Sequence, residues 1–282
     1  MSNTATTTAE ALEAGRLGTF VGRLPSHPLV KRIAYPAIGI GGLLALWWLG
    51  GFMMALNPDT ASFSDFAPGP TFAMLSYLIS DGSLWGTIYP SLARIAGGLA
   101  WAIGIGVPLG IAIGRIDAVR NITHVPFQFL RMISPLAWMP IAVMVFATWD
   151  GAIVFLIAAA AIWPVTFASA NGLRKVDPAW FKVARNLGAK GWQMVAVIIM
   201  PAIAQDVLTG IRLALGVAWI VLVPAEYLGV TSGLGYAIND ARDTLEYDRL
   251  AAMVLIIGVI GFLLDGICLS FIKRYSWHRQ DG

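Results

Sequence analysis

Three arginines, Arg94, Arg131 and Arg212, stand inside long apolar stretches. Charge in such a setting is expensive, so each needs a partner or a function. At about 1.5 Å rise per residue, Arg94 and Arg131 fall roughly 15 Å from the nearest end of their stretches, near mid-depth of a bilayer. Neither stretch contains an Asp or Glu. Two acids lie in other apolar runs. Glu226, near the end of one, is expected to meet Arg249, and Asp265 lies at a depth where Arg212 can pair with it. Those pairings leave Arg94 and Arg131 as uncompensated positive charge, suited to a small anion. Ser134 and Trp138, in the turn after Arg131, are candidates for the same path. The competing structural reading is that both arginines hold backbone carbonyls freed by nearby prolines.

No other grouping of residues suggests chemistry. There is no GxxxxGK[ST] loop, so nucleotide phosphates cannot be cradled in the P-loop manner. His27, His124 and His278 are scattered and make no metal-ligand spacing, and no metal is expected. Cys268 is the single cysteine, which excludes an intrachain disulfide. No catalytic residues are assigned; no covalent chemistry, and so no enzyme activity, is expected of this chain.

The elements that must position these arginines are membrane spans. Apolar residues make up 57% of the 282, and charged residues 12%, about half the share of a soluble domain. Mean hydropathy is +0.72. Six spans are expected, at about 34–56, 86–114, 122–148, 152–170, 207–228 and 250–272, each long enough to cross hydrocarbon. The third is interrupted by Pro126, Pro135 and Pro140, and a short helix at 71–80 is expected at the outer surface. Gly233, Leu234 and Gly235 read as a tight outer turn. The domain reading is a cytoplasmic tail at 1–33, partly disordered with a weak interfacial helix at 9–23; a first span and outer linker at 34–66; a core at 67–275; and a cytoplasmic tail at 276–282. With both termini inside, fourteen of the 19 Lys and Arg residues are cytoplasmic, and only Arg242 and Arg249 are outside. That asymmetry satisfies the positive-inside rule.

The longest polar interruption of the C-terminal half, 177–201, contains a second candidate site. Asp177 can cap a helix and Pro178 suits its first position. Trp180, Val183, Ala184 and Leu187 then form one apolar face, with Lys182, Arg185 and Asn186 opposite and Gly188 at the left-handed stop. A helix of two turns is marginal alone, so a partner surface is expected to hold it.

The register of this stretch resembles the coupling loop of ABC-importer permeases: Glu-Ala-Ala, three residues, Gly, nine residues, Ile-x-Leu-Pro. Here Lys182-Val183-Ala184 is followed by Gly188 and, nine residues on, by Ile198-Ile199-Met200-Pro201. Lys for Glu reverses a charge, and Val and Met replace Ala and Leu. Three further segments are similar to the nitrate, sulfonate, taurine and bicarbonate branch. They are Ala67-Pro68-Gly69-Pro70 with Ser91-Leu92-Ala93-Arg94; Ser134-Pro135-Leu136-Ala137-Trp138-Met139-Pro140; and Thr209-Gly210-Ile211-Arg212-Leu213 through Trp219. Resemblance covers about 67–275.

The resemblance implies an all-α, type I permease fold of six spans with a cytoplasmic coupling helix, in a bacterial inner membrane. It implies a second permease copy, two cytoplasmic ATPase subunits and a periplasmic or lipid-anchored substrate-binding protein delivering a small oxyanion. ATP and Mg would be held by the partner ATPase, with no cofactor on this chain. Trp180, Lys182, Val183, Ala184, Arg185, Leu187, Gly188 and Pro201 would form the coupling interface. Membrane lipid surrounds the chain, and no nucleic acid is expected. Two other classes compete: an ion-driven carrier, which often shows internal repeats not seen here, and a scaffold subunit, which would leave Arg94 and Arg131 unexplained. Co-purification of ATPase subunits separates them.

Overall fold

The computed structural model describes residues 28–277, all in helices and short connections. The interfacial helix expected at 9–23, most of the N-terminal tail and residues 278–282 lie outside the described residues. The chain divides into two compact units, residues 1–70 and 71–282.

In the first unit, α1 (Pro28–Leu56) provides one span, Ile33–Leu56. It ends where Asn57-Pro58 halts the helix, and the Asn57 side chain accepts a hydrogen bond from the Asp59 amide at 3.1 Å. A 3-10 turn, Ala61–Phe66, folds back so that Trp47 Nε1 donates to the Phe66 carbonyl at 2.7 Å.

The second unit begins within α2 (Pro68–Asp81) and continues through α3 (Ser83–Arg115), α4 (Asp117–Met132), α5 (Met139–Val145) and α6 (Trp149–Arg174). The short α7 (Pro178–Asn186) leads into the long α8 (Gly191–Gly229), then α9 (Leu234–Asp243) and α10 (Tyr247–Trp277). Among the described residues five helices are long and apolar enough to cross a membrane, and six segments are if α4 and α5 form one bent span.

The core is α6 packed between α3 and α8. Ile153, Leu156, Ile157 and Val165 of α6 are fully buried, as are Ala214, Ala218 and Leu222 of α8. Close approach depends on small residues, as expected where lipid offers no hydrophobic drive. Gly98, Gly106, Gly110 and Gly114 recur on the α3 face turned to α6, each in contact with side chains or carbonyls there. A smaller cluster, including Leu78, Leu84, Ile88, Leu234 and Met253, joins α2, the start of α3, α9 and α10.

Two features differ from the sequence expectation. Pro126 lies inside α4 without ending it. The third span breaks only once, at Ile133-Ser134, where the axes of its two halves turn by 86°. The residue before a proline is pushed out of the helical region, and Ser134, preceding Pro135, is extended at φ −58°, ψ 129°. The second difference is that 177–201 is less of a loop than its polarity suggests. Helix resumes at Gly191 and passes through a π-helical turn at Met194–Ile199 before Pro201. The wider turn lies just ahead of the proline, which lacks a donor for a regular α-helix.

Candidate functional site

α7 is built as its sequence dictates. Asp177 accepts a hydrogen bond from the Ala179 amide at 2.8 Å, and Pro178 occupies the first turn. At the other end the Ala189 amide reaches back to the Ala184 carbonyl and the Gly188 amide to that of Arg185, both at 3.0 Å. This paired closure needs a left-handed residue, and Gly188 has φ +83°. Ala184 is buried, and Phe181 is half-buried beneath the Arg115 guanidinium, 5.5 Å from its ring centre. That contact ties α7 to the end of α3. Trp180, Val183 and Leu187 are 61%, 57% and 82% exposed and frame a shallow groove floored by Ala184 and Ile198. Lys182 and Arg185 are exposed on the flank, and Arg185 Nε donates to the Phe181 carbonyl. Pro201 is exposed ten residues into α8, away from the groove lining. Lys175 bonds Asp206 at 2.5 Å, joining the end of α6 to α8 on the other side of α7.

Arg94 is not free for an anion, which corrects the sequence expectation. Its side chain is 5% exposed, and every guanidinium N–H has an acceptor. Nε and Nη2 meet Asp150 at 2.7 Å, Nη1 meets Glu226 at 2.5 Å and the Ser232 carbonyl at 2.9 Å, and Nη2 also reaches Ser232 Oγ at 3.0 Å. Glu226, fully buried, also accepts from Ser91 Oγ at 2.8 Å and the Gly235 amide at 2.9 Å. Ser91 Oγ in turn accepts from the Leu234 amide. The expected Glu226–Arg249 pair is therefore absent. Arg249 bonds Glu246 at 2.9 Å and Asp240 at 3.1 Å, its near neighbours.

The depth argument failed at Arg94 because α3 has 33 residues, about 50 Å, against a hydrocarbon layer of about 30 Å. Arg94 sits level with the start of α6 and the end of α8, not at mid-span. Asp150, Ser91 and Ser232 were not singled out from sequence. Ser91 lies one turn before Arg94 and Asp150 is an acid in a first helical turn, and these were the available signals. Gly233 and Gly235 do more than turn the chain. At Gly233, φ +111°, a Cβ would lie 2.5 Å from Glu226 Oε1 and 2.6 Å from Arg94 Nη1.

Arg212 and Asp265 do come together, in a two-pronged pair with both contacts at 2.6 Å. Their side chains are 37% and 49% exposed on the surface of α8 and α10. Asp265→Asn alone is expected to lower the melting midpoint of the purified protein more than Asp265→Asn with Arg212→Gln, since an orphaned charge is worse than none. Equal or greater loss in the double variant would refute the coupling.

Arg131 occupies the last turn of α4, where the helix dipole favours a cation. Among the described residues it bonds no backbone carbonyl and makes one hydrogen bond, a long 3.4 Å contact to Gln128, and its guanidinium lies over the Phe167 ring at 5.5 Å. With Trp138 it lines a cavity of about 790 Å³ between α4, the 3-10 turn Pro135–Trp138, α6 and α8. Ser134, exposed at the bend, is not part of the lining, nor is Arg94. Among the described residues, no group of three or more His, Cys, Asp or Glu could hold a metal ion.

Residues 106–277, from the last turns of α3 through α10, match the family of binding-protein-dependent transport system inner membrane components. The chain belongs to this family. It is 30% identical over 261 residues to the taurine transport system permease protein TauC of Escherichia coli (strain K12), covering 90% of this chain and 93% of TauC. It is 34% identical over 252 residues to the bicarbonate transport system permease protein CmpB of Synechococcus elongatus, covering 86% and 89%. The permease is thus a multi-pass inner-membrane subunit of an ABC importer in the nitrate, sulfonate, taurine and bicarbonate branch. It is not an enzyme, and it works with separate ATPase and substrate-binding partners. Family membership replaces the ion-driven carrier and scaffold readings.

Proposed function

We propose that the permease carries a small anion inward as one of two copies, with both termini cytoplasmic and α7 docked on an ATPase subunit. Each copy would engage one ATPase subunit, and ATP and Mg would be bound by that partner alone. The substrate-binding protein, periplasmic or lipid-anchored, would deliver the anion from outside. The carrying observation is the outward face of α7. Trp180, Val183 and Leu187 are exposed on a two-turn helix whose buried side already anchors it to α3. Such a face is covered by a groove of complementary shape, in the manner of helix-in-groove recognition. The relatives named for taurine and bicarbonate support a cargo that carries an oxyanion group.

The test is affinity purification of the tagged permease. ATPase subunits are expected to co-elute with the native chain and to be lost with Leu187→Asp. An intact permease that brings down no ATPase would overturn the reading.

Lys182 sharpens it. Exposed and basic, it faces a groove that on this reading offers a carboxylate. A partly exposed pair contributes up to about 1 kcal/mol, so Lys182→Ala is expected to be mild. Lys182→Glu brings like charges together at a docked contact and should lower coupled transport about tenfold while ATP hydrolysis persists. Normal transport by Lys182→Glu with its own ATPase would leave only the apolar face in the docking.

A further inference from the structure

The cavity at Arg131 holds one charge and an aromatic wall. Among its lining residues Arg131 is the only ionisable one, and no carboxylate faces it. Trp138, Phe155, Trp163 and Phe167 bring four aromatic rings to the lining, and Asn171 adds a side-chain amide. The wall is preformed. Trp163 is held edge-on by Phe127 at 5.4 Å and stacked with Phe167 at 6.3 Å, and Phe167 supports the guanidinium. Apart from the long contact to Gln128, the Arg131 donors have no acceptor among the described residues.

Nitrate or bicarbonate would find one guanidinium and one side-chain amide, while the aromatic and aliphatic lining would strip the rest of its hydration without replacement. An organic anion divides its needs as the cavity divides its lining. Its head takes the guanidinium fork, which suits planar and tripod oxyanions, and its body takes the aromatic wall. The volume of about 790 Å³ is that of a pocket for a small organic molecule.

The geometry points to a binding site for a monoanionic organic sulfonate or carboxylate with an apolar body of several carbons. This rests on the anion-importer reading and narrows its cargo. Arg131, rather than Arg94, is the residue that selects charge, and Trp138 and Trp163 select the body.

The test uses the assembled permease–ATPase complex in nanodiscs, without binding protein, with hexane-1-sulfonate followed by saturation-transfer NMR against empty nanodiscs. Each buried methylene adds about fourfold to affinity, so ethanesulfonate is expected to bind at least tenfold more weakly. Hexanoate is expected to compete, and nitrate and bicarbonate at tenfold excess are not. Arg131→Gln is expected to weaken hexanesulfonate at least tenfold, with Arg131→Lys retaining part of the affinity. Displacement by equimolar nitrate or bicarbonate would overturn the inference, as would equal affinity for ethanesulfonate. Displacement by hexan-1-ol as strong as by hexanoate would also overturn it, showing a lipid-like site without charge selection. The chain-length and competition series need no variant, so the inference is decided even if Arg131→Gln does not assemble. ATP-driven import and ATPase co-elution are measured on the same preparation, so failure of the importer reading registers separately.

Discussion

Glu226→Ala is expected to destabilise the permease by about 3–5 kcal/mol, the range for breaking a buried ion pair from one side. The carboxylate is fully buried and accepts from Ser91 Oγ, Arg94 Nη1 and the Gly235 amide. Removing it leaves the guanidinium facing a void, with three donors lacking an acceptor. Asp150 cannot take over, because it already holds Nε and Nη2 from the other side. Glu226→Gln should be intermediate, since all three partners are donors and an amide NH₂ would oppose at least one. Glu226→Leu combined with Arg94→Met should lose less than the two single effects added together. The exposed side of the network is the reason: Asp150 is 69% exposed and can return to water. The measurement is the thermal midpoint and folded yield of the native chain, Glu226→Leu, Arg94→Met and the double variant, and strict additivity would refute the network as a coupled unit.

Gly110→Val is expected to abolish the folded permease in the membrane. A Cβ at Gly110 would lie 2.4 Å from the Thr166 carbonyl oxygen, 2.6 Å from Ser169 Cβ and 3.2 Å from the Ala170 amide. Two of those three atoms are backbone, so no side chain can swing away. Relief requires α3 and α6 to separate, which also uncouples the contacts at Gly106 and Gly114 on the same face. Overpacking of a rigid core costs about 1–3 kcal/mol and sometimes more, and a separation shared along two helices belongs at the upper end. Gly104 is the internal control. It lies in the same helix with nothing within 4 Å of its built Cβ, so Gly104→Ala is expected to be neutral or slightly stabilising. Membrane yield by immunoblot and the melting midpoint after purification distinguish the two. Equal yields would show that the helix pair has more slack than its spacing implies.

What the sequence disclosed follows the range of the interactions involved. The start and stop of α7 are set by residues within it or beside it, Asp177, Pro178 and Gly188, so their spacing suffices. The break of the third span is likewise local to Ser134-Pro135, although the sequence reading also put interruptions at Pro126 and Pro140, which lie within α4 and α5. Arg212 and Asp265 could be paired because both lie in the apolar runs at depths that bring them level. Depth misled at Arg94, since α3 outruns the bilayer. Its acceptors lie 56, 132 and 138 residues away, on the start of α6, the end of α8 and the segment after it. Glu226 was given to Arg249 by the same error, while Arg249 had acids three and nine residues before it in sequence. Periodicity sees one helix at a time, and this network exists only where four segments meet. Nor could it find the cavity, whose walls come from α4, the turn after it, α6 and α8.

The shortness of the links beside α7 has a mechanical consequence. Three residues separate it from α6 and four from α8. Several of their amides are already committed, Lys175 to Gly172, Val176 to Leu173 and Ala189 to Ala184. A connection so short, and so fully bonded, stores little elastic play. A push on α7 of a few ångströms therefore cannot be absorbed as loop deformation and must appear as displacement of the long helices on either side. The same Arg115–Phe181 contact gives that push a third point of application, at the foot of α3. On the proposed docking, α7 would act as a pedal with three attachments, two of them short links held by backbone hydrogen bonds and the third the Arg115–Phe181 side-chain contact.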